Sequence, residues 1–344
     1  MNVIDDWYLE NLVCPRDKSK LHLSGNFLIS ETGITYPIIQ GIPIMLLDNV
    51  EQTIELANQS LAAQQNYQDI YFIETLGISQ EQKKYLNEYI GNKNIEDFSI
   101  DPIVQFLVGA TNGILYTDAI GNLPKYPIPE LRLPNGSGKN LLDIGCSWGR
   151  WCIAGANKNY NCVGIDPSLG AVLAGKRIAK KLGLNIHFIV GDARHLPFKS
   201  YDFDQVFSYS VIQHFSKLNA RKALKEVDRV LKPNGSSLIQ MPNRIGIRSL
   251  QHQISRGFEE GDNFDVRYWG VGELLKCFNQ EIGKSKLTID GFFGLGIQKA
   301  DVDLLPLKYK LIVELSEALK TVSIIIPFLK YFADSVYIES MKTS

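Results

Sequence analysis

One stretch constrains the fold of this chain more than any other, and it reads Leu141-Leu142-Asp143-Ile144-Gly145-Cys146-Ser147-Trp148-Gly149-Arg150-Trp151. Its apolar beginning predicts a short buried strand, and its end predicts the start of a helix. Between the two, Gly145 and Gly149 permit a tight turn and allow a ligand to lie against the backbone. The N–H groups that open the helix point into the same space. The stretch therefore predicts a strand, a turn and a helix, with a ligand at the turn.

The spacing of this turn narrows the kind of ligand. The order is Asp-x-Gly-x-x-x-Gly, and Ser147 stands where a dinucleotide-binding Gly-x-Gly-x-x-Gly turn has its second glycine. The Gly-Lys-Ser/Thr ending of a phosphate-binding loop is also missing from the stretch. An acidic strand end favours a ligand with a positive group and a ribose over a polyphosphate.

Strand-like and helix-like patterns alternate after the turn. Strands are predicted at Asn161–Asp166, Ile186–Val190, Phe203–Ser208 and 236–241, with helices at 168–182 and 218–231. Later strands are predicted at 287–293 and, antiparallel, at 335–339. This alternation is typical of an α/β protein whose parallel sheet is covered on both faces. Ligands of such sheets lie beyond the carboxyl ends of the strands.

Three aspartates end three successive strands of this predicted sheet, at Asp143, Asp166 and Asp192. Asp166 lies 21 residues beyond Gly145, which is the spacing of a carboxylate that holds a ribose diol. Asp192, followed by Ala193, is placed to accept a hydrogen bond from an adenine amino group. Asp143 offers favourable charge to a sulfonium or an amino group. The alternative is that each aspartate only caps the helix that follows it.

These motifs, in this order, resemble those of class I S-adenosylmethionine-dependent methyltransferases. They are Asp143-x-Gly-x-x-x-Gly149, Val163-Gly164-Ile165-Asp166, Gly191-Asp192-Ala193, the strand Phe203–Ser208 and Leu231-Lys232-Pro233-x-Gly235. The resemblance implies a Rossmann-like, seven-stranded mixed sheet, with S-adenosylmethionine as cofactor and S-adenosylhomocysteine as product. Carried over by position, it implies these cofactor-binding residues: Asp143, Gly145, Cys146, Gly149, Asp166, Pro167, Gly191, Asp192, Ala193, Ser208 and Tyr209.

The segment after the fourth strand carries the candidate catalytic residue. Val211-Ile212-Gln213-His214-Phe215 resembles the small-molecule, methyltransferase-11-like branch of the family. His214 is expected beside the methyl acceptor, where it would act as a general base, and Gln213 is expected to contact the acceptor. The alternative for His214 is a structural role at a helix start.

Further candidate substrate residues lie in two other segments. Tyr116 is expected to reach the pocket from a lid over 95–134, although this segment also fits an ordinary packing helix. Arg267, Tyr268 and Trp269 follow the fifth strand, and Arg267 suits a substrate carboxylate or phosphate. The alternative is an internal ion pair with a buried aromatic pair. The apolar run 324–329 is expected to pack on the sheet rather than to contact an apolar substrate.

The N-terminal 50 residues predict a separate, small antiparallel β module. Their Cys14-Pro15 start and their Tyr36-Pro37 and Gly41-Ile42-Pro43 segments resemble the Trm112-like family. Zinc-binding members of that family carry a second cysteine where this chain has Asp17. Because a structural zinc needs four ligands, we expect no metal in the module.

Composition sets the remaining expectations. The net charge of −1 argues against a nucleic-acid partner. Five cysteines without a framework spacing favour reduced thiols in the cytoplasm, and the apolar runs are too short to span a membrane. The expected domains are 1–50 (module), 51–94 (helical linker) and 95–344 (methyltransferase domain), the last with the lid at 95–134 and a C-terminal insertion at 244–285.

The sequence therefore predicts a methyltransferase that modifies a small molecule, with oxygen as the favoured acceptor atom in secondary metabolism. Two alternatives stay open. One is an RNA or protein methyltransferase that uses the N-terminal module for docking. The other is a non-catalytic, cofactor-binding partner protein. Neither the acceptor nor the oligomeric state follows from the sequence.

Overall fold

Two β-sheets organise the chain, and a computed structural model describes residues 4–63, 69–262, 264–293 and 298–343. The smaller sheet is antiparallel and follows the short helix α1 (Asp6–Asn11). Its strands pair in chain order: β1 (Leu21–Ser24), β2 (Phe27–Ser30), β3 (Thr35–Ile39) and β4 (Ile42–Pro43).

The larger sheet has seven strands in the order β10-β11-β9-β8-β5-β6-β7. Their bounds are β5 (Asn140–Ile144), β6 (Asn161–Asp166), β7 (Ile186–Val190), β8 (Phe203–Ser208), β9 (Leu231–Pro242), β10 (Gly283–Gly291) and β11 (Ser335–Lys342). Strands β5 to β9 pair in parallel, and β11 is antiparallel to both β9 and β10. The fold is therefore the α/β mixed sheet that the sequence predicts.

Helices cover the larger sheet and connect it to the N-terminal part. They are α2 (Glu55–Ala62), α3 (Gln80–Ile90), α4 (Pro102–Asn112), α5 (Arg150–Ala156), α6 (Leu169–Lys181), α7 (Lys217–Val230), α8 (Ile247–Ser255), α9 (Val271–Glu281) and α10 (Leu307–Ile325). Helix α6 illustrates why these segments form helices. Ser168 caps its first turn, and its apolar face, which includes Leu169 and Val172, is buried.

Several element boundaries differ from the sequence prediction, among them those of β10, which spans 283–291 rather than 287–293. Strand β9 begins at Leu231 rather than at 236, because Leu231 already pairs with Phe203 of β8 and a register shift then absorbs the following turn residues. The sequence pattern predicts a helix over 303–320, but α10 begins at Leu307, because Pro306 occupies its N-cap position and a separate 3₁₀ turn (Lys299–Leu304) precedes it.

The N-terminal module packs against the edge of the larger sheet. Ile44 pairs with Val190 of β7 in a parallel bridge, and the Met45 N–H donates to the Val190 carbonyl oxygen at 2.7 Å. The buried Tyr8 hydroxyl donates to the carbonyl oxygen of Phe188 in the same strand at 3.0 Å. The module therefore shares a core with the sheet and holds the segment after it close to the strand ends.

The described part of the chain contains neither a membrane-spanning helix nor a metal-binding cluster. No helix there is long and apolar enough to cross a membrane. No group of three or more histidine, cysteine, aspartate or glutamate side chains there is arranged to hold a metal ion. Asp17, which stands at the second cysteine position of the zinc-binding relatives, instead accepts hydrogen bonds from Ser19 and Thr32.

Candidate cofactor and acceptor site

A cavity of about 770 Å³ lies at the carboxyl ends of β5, β6, β7 and β8. Strand ends and the turns after them form its floor, and segments from outside the sheet cover it. The lining includes 144–145, Ser147, 165–168, Ala171, 191–193, 209–211, 213–215 and Phe264 from the sheet side, and Leu46, 52–58, 76–77, Leu107 and 110–113 from the covering side. The cavity is thus where a doubly wound sheet is expected to bind its ligand.

The glycine turn gives this floor its shape. Gly145 has a φ of +74°, and a Cβ atom built on it would lie 2.1 Å from a methyl group of Val211. Ser147 is also left-handed, with a φ of 47°, and lines the cavity with Gly145. Gly149 has a φ of +80° but packs against the Phe188 ring outside the lining. The first glycine therefore lets a ligand approach the backbone, and the second serves the packing of the turn.

Asp166 lies in the cavity wall at the end of β6. One carboxylate oxygen accepts the Ser147 N–H and the other accepts the Ser168 N–H, each at 2.9 Å. Burial raises the pKa of Asp166 to about 6, against the lowering effect of these two hydrogen bonds. Each carboxylate oxygen keeps a further lone pair, so the group can accept a diol. The Pro167 ring beside it also lines the cavity.

Asp192 lines the cavity at the end of β7, together with Gly191 and Ala193. Its carboxylate is already engaged, because Arg194 donates to it through Nη2 at 2.6 Å and through Nε at 2.9 Å. Arg194 also donates to the Glu51 carbonyl oxygen at 2.8 Å. Sequence reasoning overlooked this arginine, which ties the covering segment to the expected adenine end of the site.

Three of the expected cofactor residues lie below the cavity floor rather than in its lining. Asp143 is fully buried, and one of its oxygens accepts a hydrogen bond from the Cys152 thiol at 3.3 Å. Its other oxygen has no hydrogen-bond partner among the described residues, and burial raises its pKa to about 7. Cys146 is buried beside it, and the Ser208 hydroxyl donates to the Ile144 carbonyl oxygen at 2.9 Å. These side chains point into the core, so the expected direct contact of Asp143 with a sulfonium does not fit its position.

His214 and Gln213 line the cavity at its other end, on a short 3₁₀ turn after β8. The His214 ring stacks on Phe264 with centroids 3.9 Å apart, and its Nδ1 lies 2.6 Å from the Phe264 carbonyl oxygen. This contact assigns the proton to Nδ1 and leaves Nε2 as the acceptor, 3.3 Å from the Gln213 amide nitrogen. Burial lowers the pKa of His214, which keeps the imidazole neutral near pH 7.

Tyr209 is the expected cofactor residue beside the methyl position, and it lines the cavity. Its hydroxyl donates to Asp290 at 2.9 Å and accepts from the Gln298 amide at 2.9 Å. Burial holds the pKa of this hydroxyl well above its ordinary value, so it stays protonated. The two bonds fix the ring between the glycine turn and the C-terminal strands.

Tyr116 does not reach the cavity, contrary to the lid prediction. It is fully buried, and its hydroxyl donates to Asp301 at 2.5 Å. Asp301 also forms a buried ion pair with Arg150 at 3.1 Å. The segment that carries Tyr116 therefore packs against the C-terminal region, and only Leu107 and 110–113 of the predicted lid contribute to the lining.

The Arg267-Tyr268-Trp269 cluster also lies outside the lining. Arg267 donates through Nη1 to the His214 carbonyl oxygen at 2.5 Å, and its backbone N–H donates to the Gln213 carbonyl oxygen at 2.8 Å. The Tyr268 hydroxyl contacts His252 at 3.0 Å, and Trp269 is buried. Arg267 therefore positions the 213–214 turn instead of facing a substrate.

The covering segment 52–58 is the part of the site that sequence reasoning missed, whereas 110–113 lies within the predicted lid. Helix α2 is fixed over β6 because the Ser60 hydroxyl donates to the Pro167 carbonyl oxygen at 2.6 Å and accepts the Leu169 N–H at 3.0 Å. A lone serine in a polar helix carries no signal for such a contact. The Asn112-Gly113 break does mark the end of α4 in the sequence, but not what lies opposite it.

The site fits an adenosine-type cofactor on its geometry. Gly145 leaves room for Val211, which a Cβ would meet at 2.1 Å, Asp166 offers two acceptor oxygens, and the 191–193 segment borders the cavity with a carboxylate that is paired with Arg194. No lysine or arginine stands among the described lining residues, whereas Glu55, Asp166 and Asp192 do. Because Arg194 pairs with Asp192 from outside the lining, Glu55 and Asp166 are the carboxylates left to favour a ligand with a positive charge.

Comparison with known proteins identifies the class. Residues 141–235 match a family model described as a methyltransferase domain. Together with the seven-stranded sheet and the strand-end cavity, this match shows that the chain contains a class I S-adenosylmethionine-dependent methyltransferase domain.

Individual relatives match only part of the chain. The chain is 37% identical to norajmaline N-methyltransferase of Rauvolfia serpentina over 109 residues, which are 31% of this chain and 37% of that protein. It is 35% identical to the probable tRNA methyltransferase 9B of Bos taurus over 126 residues, 36% of this chain and 24% of that protein. The chain thus spans well under two thirds of the length of these curated relatives.

Among solved structures, one similar chain comes from the complex between the Haloferax volcanii Trm112 methyltransferase activator and the putative methyltransferase. The identity is 16%, and the alignment covers 70% of this chain and 94% of that chain with a TM-score of 0.42.

Proposed function

We propose that the protein transfers the methyl group of S-adenosylmethionine to a small-molecule acceptor, with a hydroxyl oxygen as the first candidate atom. The observation that carries this proposal is the charge of the cavity. Its described lining holds one histidine and three carboxylates, of which Asp192 is paired with Arg194, and no lysine or arginine stands in the lining itself. A nucleic-acid substrate would bring phosphates to this lining and be repelled, whereas a neutral acceptor beside a cationic methyl donor is accommodated.

The cofactor would be held by residues of the sheet side. Asp166 would accept the ribose hydroxyls, Gly191 to Ala193 would border the adenine, and the backbone at Gly145 and Ser147 would lie along the methionine part. When bound there, S-adenosylmethionine supplies a sulfonium methyl group for a direct displacement. The covering segment 52–58 would shield this end from water, held by Arg194 and Ser60.

At the other end of the cavity, His214 would take the proton of the acceptor hydroxyl at Nε2. The ring is supported for this role, because Phe264 stacks on it and accepts from Nδ1. The Gln213 amide near Nε2 would move its contact to the acceptor oxygen and help to align it with the methyl group. Alignment alone supplies a large part of the rate in such a displacement, and a base typically adds about 10²-fold or more.

Methylation of an amine is the second candidate, and the same acidic lining favours it. A protonated amine would be attracted to Glu55, and His214 would remove its proton before transfer. Similarity to an N-methyltransferase over 109 residues is in accord with this candidate.

A labelling experiment tests the proposed function. The full chain is incubated with methyl-labelled S-adenosylmethionine and a cell extract, and the label is followed into metabolite, RNA and protein fractions. The proposal expects label in the metabolite fraction, lost in the His214→Ala variant. Label in RNA or protein would instead support a macromolecular acceptor, and the lack of transfer to any fraction would support the role of a non-catalytic partner.

The chemistry of the labelled metabolite then separates the two acceptor atoms. A methyl ether or ester identifies oxygen, and a methylated amine identifies nitrogen. The cleanest control is the Tyr85→Ser variant, because Tyr85 is an exposed residue of α3 outside the cavity lining.

A further inference from the structure

An apolar face of the C-terminal helical segment is exposed, contrary to the expectation that 324–329 packs on the sheet. Ile324, Ile325 and Phe328 are 79%, 83% and 64% exposed. The outward face of α10 continues the same surface through Leu311 and Leu315. Leu307, Leu311, Leu315 and Val322 are spaced four or seven residues apart and share one face of α10, so they form a stripe that leads to the exposed tip at 324–328. We call the stripe and the 324–328 tip the α10 face.

The inner side of α10 packs against the core of the chain. Val313 and Ser316 are buried, and the Ser316 hydroxyl accepts the Phe292 N–H at 2.9 Å. Leu319 packs against the buried cluster of the sheet. The helix is therefore fixed in place, and its exposed face is left for an external partner.

A second exposed apolar stripe lies on α8 and the turn after it. It consists of Ile247, Leu250, Ile254 and Phe258, spaced three or four residues apart. The start of α8 is tied to the end of the C-terminal segment, because Asp334 accepts the N–H groups of Arg248 and Ser249 at 2.6 and 2.9 Å. Asp334 thus ties the α8 stripe to the C-terminal segment. Together the two stripes form a larger exposed apolar surface than the single exposed side chains of an ordinary protein surface.

The charges around the α10 face are mainly positive. Between residues 307 and 332 there are four lysines, at 308, 310, 320 and 330, and two glutamates, at 314 and 317. Lys320 pairs with Glu317 at 2.7 Å, while Lys308 and Lys330 lie over the rings of Tyr309 and Tyr331. Apolar side chains bordered by lysines, whose long stems can extend toward lipid headgroups, are the pattern of a helix that lies in a membrane interface.

We propose that the protein docks peripherally on an anionic phospholipid bilayer through the α10 face, with the α8 stripe as a second contact. The apolar tip at 324–328 enters the boundary between headgroups and acyl chains, and the lysines meet the lipid phosphates. A second copy of the chain is a poorer occupant, since a two-fold contact would bring the net positive faces together. Docking needs neither the methyl donor nor turnover, so it stands apart from the proposed function.

The docked surface is connected to the acceptor end of the cavity. The segment after α8 passes through Phe264 and Arg267, which hold the 213–214 turn by hydrogen bonds at 2.6 Å and 2.5 Å. A bilayer in contact with α8 would therefore lie close along the chain to the part of the site that receives the acceptor.

The test is vesicle co-sedimentation of the full chain, with phosphatidylcholine vesicles and with vesicles that also contain phosphatidylserine. We expect binding to the anionic vesicles, weakened about tenfold or more in the Ile325→Ser, Phe328→Ser double variant. The Lys308→Glu, Lys310→Glu double variant should lose the preference for anionic vesicles. Leu182→Ser, an exposed change outside both stripes, should bind like the wild type.

Two results would overturn the proposal. One is a wild-type chain that stays in the supernatant with anionic vesicles, or binds as well after the double serine change. The other is a dimer in analytical ultracentrifugation that the double serine change converts to a monomer, which would make the face a contact between copies. Because the replaced side chains are exposed, we expect each variant to fold, and thermal melting of each variant checks this.

Discussion

Replacing the buried Asp143 by asparagine should change how the stability of the protein depends on pH. The carboxyl group lies under the cavity floor with one oxygen unpartnered among the described residues. Burial raises its pKa from 3.8 to about 7. The pKa of this group is therefore higher in the folded state than in the unfolded state. The stability that the protonated carboxyl contributes is fully present below pH 3.8 and is lost as the pH rises through 7.

The size of the effect follows from the two pKa values. One pKa unit corresponds to about 1.4 kcal/mol, so the ionised group costs roughly 4 kcal/mol well above pH 7. Between pH 5 and pH 8 the wild type should lose about 2–3 kcal/mol from this group, and Asp143→Asn should lose none of it. An amide N–H without an acceptor at this position would lower the free energy of unfolding of Asp143→Asn by about 1–3 kcal/mol at every pH.

Guanidinium unfolding at pH 5 and at pH 8 measures this difference. The free energy of unfolding of Asp143→Asn relative to the wild type should rise by about 2–3 kcal/mol between the two pH values. Asp118→Asn, at an exposed site, is the matched control and should show a smaller change. Parallel pH slopes for the wild type and Asp143→Asn would refute the assignment of a buried, readily protonated carboxyl. A tenfold loss of cofactor affinity in the same variant would instead place Asp143 in contact with the cofactor.

Three further changes test the site. His214→Asn should lower kcat and leave cofactor affinity unchanged; a variant with wild-type kcat would contradict a role as base. Because burial lowers the pKa of His214, the wild-type rate should persist below pH 6.5 and fall only at more acidic pH, as a pH profile of kcat/KM would reveal. Gly145→Ala should destabilise the fold and impair cofactor binding, since its Cβ would meet Val211 at 2.1 Å and its φ is +74°; a normal melting temperature with normal affinity would count against it. Arg194→Met should weaken cofactor binding several-fold by releasing Glu51 from the adenine end, and calorimetry measures the loss.

The strands of the larger sheet could be predicted from the sequence because the pattern of each strand lies within one short segment. Strands Asn161–Asp166, Ile186–Val190 and Phe203–Ser208 have the predicted bounds, since each is a short apolar run closed by a turn or an acidic residue. The glycine turn is equally local, because a left-handed φ, as at Gly145, favours glycine over residues with a side chain. The floor of the cavity could therefore be predicted.

The cover of the cavity could not be predicted, because it depends on contacts between distant segments. The covering helix α2 is held by Ser60 against Pro167, more than a hundred residues away. Tyr116 points to Asp301 instead of the cavity for the same kind of reason. The exposure of Ile325 also follows from tertiary packing, since an apolar run gives the same pattern whether it meets a core or an external partner.

The central claim is that the strand-end cavity binds S-adenosylmethionine with Asp166 on the ribose, and titration calorimetry tests it most directly. The wild type should bind the cofactor saturably at one site per chain. Asp166→Ala removes charge-assisted hydrogen bonds worth about 1.5–3 kcal/mol, so its affinity should fall at least about tenfold. Binding of equal strength in the two proteins, or no binding to the wild type, would contradict the account.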